Sequence, residues 1–366
     1  MSQPTIDSML VRSERTAPLA LGEPDPTTWN AFVDAHPQGS LLQHGAWGEL
    51  KTGSGWRARR IAVLGADGDP IAGALLLIRA RYGLSVAYTP RGPLFSGDPV
   101  VDRLLLDGLE RVARRARAVL LRLEPNLLED DPAADALHTW LLLQGLQPVQ
   151  TIQPRSSIHI DLRPSEERLL TACSKGHRAD IRRAERHGVV VRSGDVTDLP
   201  VFFVLMQGTG KRAQFGVHSE AYYRAAWRLF QPRSCLLIAE VEGQAAAAHL
   251  IFADARAGRY LYSGANEVGL RSGANHLLTW HAMRWARAQG CTCYDLWGIP
   301  DALGRAATAP DAESRAALEN AARRDPLIGV YRFKKGFGGK IVRYLPAYDQ
   351  VLLAPLYPLA LRRIGA

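Results

Sequence analysis

Cysteine and familiar catalytic signatures are both scarce in this chain of 366 residues. Four cysteines are present, and the pair Cys291 and Cys293 has no second Cys or His pair at the spacing of a zinc site. The sequence also lacks a P-loop, an HExxH motif and a nucleophile elbow, so nothing in it indicates metal chemistry or a hydrolase. We therefore predict buried thiols in a reducing compartment, with neither a metal nor a cofactor.

Long apolar runs are absent as well. The N terminus has no apolar stretch beside basic residues, which argues against a signal peptide. The segment VLLAPLYPLALRR near the C terminus is too short, and too interrupted by proline, to span a membrane. We predict a monomeric cytoplasmic protein, and we leave open a peripheral association with the inner membrane.

Acidic residues are outnumbered by basic ones. The chain has 45 Lys and Arg against 36 Asp and Glu, which gives a net charge of +9 and a pI near 9.6. Such a balance favours polyanionic partners such as phosphates or nucleic acid. Because 47% of the residues are hydrophobic, the chain can bury a large core. Its length predicts about two domains, at roughly 150 residues each.

One order of secondary structure occurs twice along the chain. In the first half, the strand RIAVLG turns near Gly68 into IAGALLLIRA, and a helix over 102–118 leads to the strand AVLLRLEP. In the second half, CLLIAEVE turns at Gly243 into AAAAHLIFADARAGRYLYSGA, and the helix NHLLTWHAMRWARAQ leads to CTCYDLWGI. Three landmarks shift by 175, 174 and 173 residues: Gly68 to Gly243, Tyr88 to Tyr262, and Leu121 to Tyr294. Such nearly constant offsets indicate a duplicated unit.

The repeated unit is an antiparallel meander that turns parallel after a helical crossover. This order matches the core of the GNAT acyltransferases. The predicted fold class is α+β (mixed α/β), with two tandem GNAT-like domains, each a mixed, mostly antiparallel sheet flanked by helices. We place a flexible segment at 1–25, the first domain at 26–155 with 346–366 returning to it, and the second domain at 156–345. The strand-like stretch QPVQTIQPRSSIHIDL is expected to close the first half of the chain.

A basic helix is predicted between the two units, over roughly 165–187. Four of its residues share one helical face: Lys175, Arg178, Arg182 and Arg186. With only Glu185 nearby to offset them, these like charges favour an anionic partner. The alternative is a solvated surface stripe. Further along, Lys211 and Arg212 are expected in a glycine-rich loop between two helices.

The stretch DPLIGVYRFKKGFGGK, residues 325–340, combines lysine, aromatic and glycine residues. Lys334 and Lys335 precede the turn 336–339, whose glycines allow a ligand to approach the main chain. Three aromatic residues can place ring faces beside the two ammonium groups: Tyr331, Phe333 and Phe337. The alternative is an amphipathic turn with a solvated lysine pair.

Five motifs, in order along the chain, resemble the FemABX family of peptidoglycan-bridge aminoacyltransferases. They are QHGAWGELK, YTPRGPL, KGHRADIRRAERHGV, SGANEVGLRSGANHLLTWHAMRWARAQGCTCYDLWGI and VYRFKKGFGG, and the resemblance extends from about Gln43 to Tyr348. It implies two tandem GNAT-like domains that transfer an amino acid from aminoacyl-tRNA to the side-chain amine of a stem peptide. The acceptor would be a UDP-linked muramyl pentapeptide or lipid II, and the process would be interpeptide bridge formation in cell-wall biogenesis.

The resemblance also implies roles for particular residues. In the family, a Phe-Lys pair before the glycine turn contributes to catalysis, and it falls on Phe333 and Lys334 here. Lys334 would neutralise phosphate or oxyanion charge, and Phe333 would shape the pocket. The basic face would bind tRNA or phosphate. The implied substrate-binding residues are Lys51, Trp56, Tyr88, Arg91, Tyr262, Arg271, Asn275 and Lys335.

The chain departs from the family pattern at three points. The acidic residue expected near the end of the YTPRGPL loop is displaced or replaced, and Asp98 is the nearest candidate. His276 stands where a tyrosine is expected. The long coiled-coil arm of some members is missing, because residues 305–324 are too few and lack heptads.

Two other classes stay open on the residues alone. An acetyl-CoA-dependent GNAT N-acetyltransferase shares the fold unit, but its pyrophosphate loop [QR]-x-x-G-x-[GA] finds only LRSGAN here. That match has Leu270 and Asn275 at two of the fixed positions. A non-catalytic module that binds RNA or a cell-wall precursor would fit the basic charge equally well. Loss of activity in Lys334→Met, with binding retained, would separate an enzyme from such a module.

Overall fold

The computed structural model describes residues 19–213 and 216–361, and the side chain of residue 213 is not described. Most of the segment predicted to be flexible, residues 1–18, lies outside the described residues. The part that is described contains a short edge strand, β1 (Ala20–Gly22), which pairs with the strand 57–64. This part of the predicted segment is therefore built into the fold.

The first sheet has seven strands among the described residues. They are β1, β2 (Arg57–Leu64), β3 (Pro70–Arg81), β4 (Leu84–Thr89), β5 (Ala118–Leu123), β6 (Gln147–Val149) and, from near the C terminus, β14 (Ala347–Val351). Their order in the sheet is β1-β2-β3-β4-β5-β14-β6. Strands β4 and β5 pair in parallel and the other neighbours are antiparallel. The C-terminal segment thus supplies a strand to the first sheet.

The second sheet also has seven strands within the described ranges. They are β7 (Ser156–Asp161), β8 (Val190–Ser193), β9 (Ser234–Val241), β10 (Gln244–Ala253), β11 (Ala257–Ala265), β12 (Cys293–Asp295) and β13 (Lys340–Arg343). Their order is β13-β7-β12-β11-β10-β9-β8, and only β11 and β12 pair in parallel. The stretch expected to close the first half is therefore divided, since β6 joins the first sheet and β7 the second.

The two sheets repeat one pairing pattern, which confirms the predicted duplication. Each has an antiparallel meander, one parallel pair after a helical crossover, and two further antiparallel strands. The hairpin turns correspond as well, because Gly68 and Gly243 both have φ near +80°, a conformation that glycine adopts without steric cost. The predicted fold class is correct. The division of the chain into domains at residue 156 stays a prediction, which the sheet membership of β7 and β14 supports.

The helices flank the two sheets. They are α1 (Pro26–Ala35), α2 (Gly45–Thr52), α3 (Pro99–Arg115), α4 (Ala134–Leu143), α5 (Glu166–Ala172), α6 (Lys175–Arg186), α7 (Leu199–Ala213), α8 (Glu220–Leu229), α9 (Glu267–Ser272), α10 (Ala274–Ala288), α11 (Asp301–Ala307), α12 (Ala312–Ala322), α13 (Ile328–Lys335) and α14 (Tyr357–Leu361). Lys211 and Arg212 lie in α7 instead of the predicted loop. Asp98 caps α3, where its side chain accepts hydrogen bonds from the first backbone N–H groups.

The predicted basic helix is two helices, α5 and α6. The break falls at Cys173 and Ser174, because the Ser174 hydroxyl accepts a hydrogen bond from the His177 N–H and so begins a new helix. The region predicted to be too short for a coiled-coil arm holds the short helices α11 and α12. No helix in the described part of the chain is both long enough and apolar enough to cross a bilayer.

One apolar cluster joins the two halves. It contains Leu75 and Leu77 from β3 together with Leu250 and Phe252 from β10, all of them buried. An ion pair between Arg233 and Asp34, at 2.6 Å, and a hydrogen bond from the Leu41 N–H to Asp254, at 3.1 Å, add polar links across the same junction. Shared burial of this kind holds the two sheets in a fixed relation.

Candidate active site

Lys334 is buried at the C-terminal end of α13 and reaches the loop that follows β12. The residue is 4% exposed. Its Nζ donates hydrogen bonds to the carbonyl oxygens of Trp297, at 3.1 Å, and Gly298, at 2.8 Å. It also lies 5.6 Å from the centroid of the Tyr260 ring. Because an ammonium group has three N–H bonds, the third remains for another acceptor.

Lys334 has an unusual ionisation equilibrium. Burial lowers its pKa from 10.5 to about 7, and the negative charge of Asp295 opposes that shift. Burial would raise the pKa of Asp295 itself, but the charges of His159 and Arg259 hold it far below its usual range. Lys334 is thus divided between its charged and neutral forms near neutral pH, where a catalytic group is most effective.

A cavity of about 480 Å³ lies beside Lys334, and we call it the transfer cavity. Its volume is within the range typical of small-molecule sites. Its lining includes Arg212, His218, Tyr262, Asn275, Phe333 and Lys334. The structure therefore brings four of the predicted site residues, two from the 325–340 stretch and two from the second sheet and its helix, to one place.

A histidine buried behind the transfer cavity fixes Asn275. The Nε2 of His249 lies 3.0 Å from the Asn275 Oδ1. Burial lowers the pKa of His249 to about 4, so the ring is neutral and its N–H donates to that oxygen. The His249 side chain is fully buried. Its contact with Asn275 also gives it a part in orienting the site.

A second cavity, of about 380 Å³, holds three more of the predicted residues, Lys51, Trp56 and Tyr88, and we call it the acceptor cavity. The Lys51 Nζ lies 3.0 Å from the hydroxyl oxygen of Tyr222 and 4.8 Å from the centroid of the Trp47 ring. His218 lines both cavities, so they adjoin at that residue. His218 therefore lies between the cavity that holds Lys51 and the cavity that holds Lys334.

Arg91 was predicted to bind substrate, but it lines neither cavity. The residue is buried, and its guanidinium carbon lies 3.6 Å from the centroid of the Tyr344 ring and 5.5 Å from that of Trp297. It also donates a hydrogen bond of 2.7 Å to the Pro154 carbonyl oxygen. Arg91 therefore supports the loop whose carbonyl groups bind Lys334.

Arg271 and Lys335 also lie away from both cavities. The Arg271 side chain is 78% exposed and pairs with Glu267 on the same helix. Lys335 is exposed, and its Nζ lies 5.6 Å from the centroid of the Tyr331 ring. The geometry does not place either cation where a ligand in the two cavities would meet it.

The basic face of α6 is less uniform than its spacing suggests. Lys175, Arg182 and Arg186 are exposed. Arg178 instead donates hydrogen bonds to the carbonyl oxygens of Thr171 and Cys173, at the end of α5. Asp180, which the sequence reasoning overlooked, pairs with Arg183 at 2.9 Å. Three exposed cations, not four, are therefore available to an anionic partner from the predicted set.

The glycines of the 336–339 turn contact the protein's own chain. A Cβ added at Gly336 would lie 1.9 Å from the His177 ring, and one at Gly339 would lie 2.6 Å from the His159 carbonyl oxygen. His177 also hydrogen-bonds the Phe333 carbonyl oxygen at 2.7 Å. The prediction that these glycines admit a ligand is thus not what the geometry shows, since Gly336 admits helix α6 and Gly339 admits strand β7.

Several functional groups were missed by the sequence reasoning. The carbonyl groups of Trp297 and Gly298 are presented to Lys334 by a loop in which Trp297 has φ +62°. Arg212 and His218 line the transfer cavity from α7 and the segment after it. The only sequence signal for them was the mixture of basic, glycine and aromatic residues in GKRAQFGVH.

Among the described residues, neither the cysteines nor the side chains that could bind a metal form a second reactive site. Across the described ranges, no three His, Cys, Asp or Glu side chains gather closely enough to hold a metal ion. The four cysteines are free thiols, of which Cys173 and Cys291 are buried and the other two half-buried. Burial raises the pKa of Cys173 and of Cys235 to about 11, so neither is a ready nucleophile.

Two sheets of one GNAT-like pattern, with a buried lysine beside a cavity near their junction, define a tandem GNAT-like acyltransferase. A family model described as the FemAB family matches residues 25–140, 138–250 and 242–360. These matches cover nearly the whole described chain. The chain belongs to the FemAB family, and it is an acyltransferase, since its curated relatives are glycyltransferases.

Two such relatives carry the name lipid II:glycine glycyltransferase. The protein from Staphylococcus saprophyticus is 25% identical over 402 aligned positions, which cover 90% of this chain and 92% of that protein. The protein from Staphylococcus aureus is 32% identical over 206 positions, which cover 53% of this chain and 48% of that protein. The match to the second relative therefore spans about half of its length.

Solved structures show the same fold. A crystal structure of FemX has a TM-score of 0.81 at 21% identity, covering 95% of this chain and all of that one. The structure of L-PGS from Bacillus licheniformis has a TM-score of 0.52 at 16% identity, with coverages of 94% and 96%. A tandem GNAT protein from the clavulanic acid pathway has a TM-score of 0.50 at 12% identity, with coverages of 91% and 98%.

Proposed function

We propose that this acyltransferase moves an amino acid from aminoacyl-tRNA to the side-chain amine of a peptidoglycan stem peptide during interpeptide bridge formation. The acceptor is lipid II or its UDP-linked precursor. The observation that carries the proposal is the position of Lys334, buried beside a cavity that adjoins the Lys51 cavity. The names of the relatives support lipid II as the acceptor.

The reaction is the aminolysis of an ester. The neutral amine of the acceptor attacks the ester carbonyl carbon, the bond from that carbon to the tRNA ribose oxygen breaks, and an amide forms. The proton lost by the amine goes to the departing ribose oxygen, which becomes a hydroxyl group. Negative charge develops on the carbonyl oxygen in the transition state, so a fixed positive donor lowers the barrier.

Lys334 is suited to supply that donor. Two of its N–H bonds are held by the carbonyl groups of Trp297 and Gly298, which leaves the third for the developing oxyanion. A negative charge nearby favours the ammonium form of a lysine whose pKa is about 7. Phe333 lines the same cavity and excludes water from it, which strengthens the interaction.

The acceptor cavity is suited to the pyrophosphate end of the acceptor. Lys51 provides a cation there, and Trp56 provides an aromatic wall. The stem peptide then extends past His218 toward Lys334, since both cavities share that histidine. The exposed cations of α6 then attract the phosphate backbone of the tRNA. They are Lys175, Arg182 and Arg186. Contacts between such cations and backbone phosphates supply much of a protein's affinity for a nucleic acid.

The geometry disfavours acetyl-CoA as the donor. In a GNAT enzyme the pyrophosphate binds backbone N–H groups at a helix N terminus, which here is the start of α10. That terminus is covered by α6, because a Cβ on Gly273 would lie 2.6 Å from the Asp180 carbonyl oxygen. Arg183 also donates a hydrogen bond of 3.2 Å to the Arg271 carbonyl oxygen beside it.

The test is direct. The protein is incubated with charged tRNAs and either lipid II or a UDP-muramyl pentapeptide, and the product mass is measured. We expect a gain equal to one amino-acid residue with at least one donor. A reaction with acetyl-CoA, with no gain from any charged tRNA, would overturn the proposal.

A further inference from the structure

A third cavity, of about 480 Å³, lies between the β3–β4 hairpin and the C-terminal helix α14, and we call it the outer groove. Apolar side chains form much of its wall, from strands of the first sheet and from the C-terminal segment. Six of them are Tyr82, Leu84, Val86, Val119, Leu356 and Leu359. Tyr82 is 81% exposed and Leu359 is 54% exposed, so the groove presents apolar surface to its surroundings.

The outer groove is continuous with the acceptor cavity. Ser54 and Arg79 line both of them. The guanidinium carbon of Arg79 lies 5.7 Å from the centroid of the Trp56 ring, which belongs to the acceptor cavity. A ligand can therefore extend from the Lys51 end of the acceptor cavity, past Arg79, onto the apolar wall.

The order of chemistry along this path is cationic and then apolar. Lys51 lines the acceptor cavity, Arg79 lines both cavities, and Leu84, Val86 and Leu359 line the outer groove, where Arg81 beside the ring of Tyr82 is a further cation. A pyrophosphate joined to a hydrocarbon chain has the complementary order, because phosphate pairs with Lys and Arg while the chain gains by leaving water. A UDP-linked acceptor has a polar nucleoside at the same place and gains nothing from an apolar wall.

From this order, and resting on the proposed function, we infer that the outer groove binds the first part of the isoprenoid chain of a lipid-linked acceptor. The groove selects the lipid-linked form over the UDP-linked form. It also fixes the direction in which the acceptor enters, with the chain at α14 and the stem peptide toward Lys334. The groove is concave, which suits one hydrocarbon chain better than the flat surface of a bilayer.

The test uses two soluble acceptors, pyrophosphate-linked muramyl pentapeptides that carry either a methyl or a farnesyl group, without detergent or vesicles. The variant is Leu359→Asp, which places a charge on the apolar wall at an exposed position and so leaves folding intact. The matched control is Leu143→Asp, because Leu143 is 79% exposed on α4 and lines neither the groove nor the two cavities. The measured quantities are kcat and KM for each acceptor.

We expect the wild type to show a KM about tenfold lower for the farnesyl acceptor than for the methyl acceptor. Leu359→Asp should abolish that difference without changing the KM of the methyl acceptor, and Leu143→Asp should keep it. Equal wild-type KM values for the two acceptors would overturn the inference, as would a difference that appears only when vesicles are added, since that would indicate a bilayer. Transfer to neither acceptor, from any charged tRNA, would instead count against the proposed function.

Discussion

The Nζ of Lys334 lies 2.8 Å from the carbonyl oxygen of Gly298. This contact joins the C-terminal end of α13 to the loop after β12, two segments that are 36 residues apart in the chain. The strand before that loop carries the buried carboxylate of Asp295, which attracts the same ammonium group. The lysine is thus held by carbonyl oxygens on one side and faces the transfer cavity on the other.

Two substitutions of Lys334 should show whether its positive charge is what catalysis requires. Lys334→Met removes the charge, so we expect kcat to fall by about 10²–10³, the usual effect of losing one oxyanion donor. Lys334→Arg keeps the charge and should be about tenfold more active than Lys334→Met. Measurement of kcat with aminoacyl-tRNA and lipid II tests both. An Arg variant as inactive as the Met variant would show that the lysine instead accepts a proton.

The same lysine should make stability depend on pH. Its folded-state pKa, about 7, is below the ordinary 10.5, so between these values the unfolded chain binds the proton more tightly. Stability from this group therefore rises with pH across that window. We expect Lys334→Met to be more stable than wild type by roughly 1–3 kcal/mol at pH 7, after the cost of two unpaired carbonyl groups. Urea unfolding should show that the difference in stability between Lys334→Met and the wild type is smaller at pH 9.5 than at pH 7. An equal difference at the two pH values would contradict the lowered pKa of Lys334.

Much of the fold could be predicted because its signals are local. Alternating strands, the turns at Gly68 and Gly243 and the helix between parallel strands recur at nearly fixed offsets, and short-range patterns of this kind are visible in one sequence. The exchange of strands was visible only in part. The residue ranges of the predicted domains already returned 346–366 to the first half, but the stretch QPVQTIQPRSSIHIDL was expected to close that half as one piece. Its division between β6 and β7 depends on long-range pairing that no local pattern encodes.

The candidate site shows the same division. Lys334 and Phe333 were found because a family motif marks them, and the structure places both at the transfer cavity. The surroundings of Arg91 and Arg178 could not be predicted, because neither the resemblance that named Arg91 nor the helical spacing that named Arg178 reveals what a side chain contacts. One lies over the Tyr344 ring, and the other is bonded to carbonyl oxygens of α5. The carbonyl partners of Lys334 could not be predicted, since a positive φ at Trp297 leaves no trace in the residue type.

The contact between Gly336 and His177 should control the position of α13. A methyl group at Gly336 would overlap the His177 ring, which also hydrogen-bonds the Phe333 carbonyl oxygen. We expect Gly336→Ala to lower kcat about tenfold and to destabilise the fold by roughly 1–3 kcal/mol, as overpacking does. The double variant Gly336→Ala with His177→Ala should recover part of both losses. Strictly additive effects in this double-mutant cycle would show that the two residues are not coupled.

Charge reversal on α6 should weaken the binding of the donor, aminoacyl-tRNA, without changing the binding of the acceptor, lipid II. Arg182 and Arg186 are exposed on one face, so changing both to Glu should raise the KM for aminoacyl-tRNA by at least tenfold. The dependence of that KM on salt should weaken, because fewer phosphate contacts release fewer counterions. The KM for lipid II should stay within about twofold of wild type.

A control of equal charge change makes this last result specific. Arg315 and Arg323 are exposed on α12 and just after it, and reversing both alters the net charge of the protein by the same amount. If the effect depended only on net charge, the two double variants would raise the KM for aminoacyl-tRNA equally. The assignment of α6 to tRNA binding would then be wrong. A selective loss on α6 would instead locate the tRNA on the helix that also packs against α13. Donor binding and the position of Lys334 would then share one structural element.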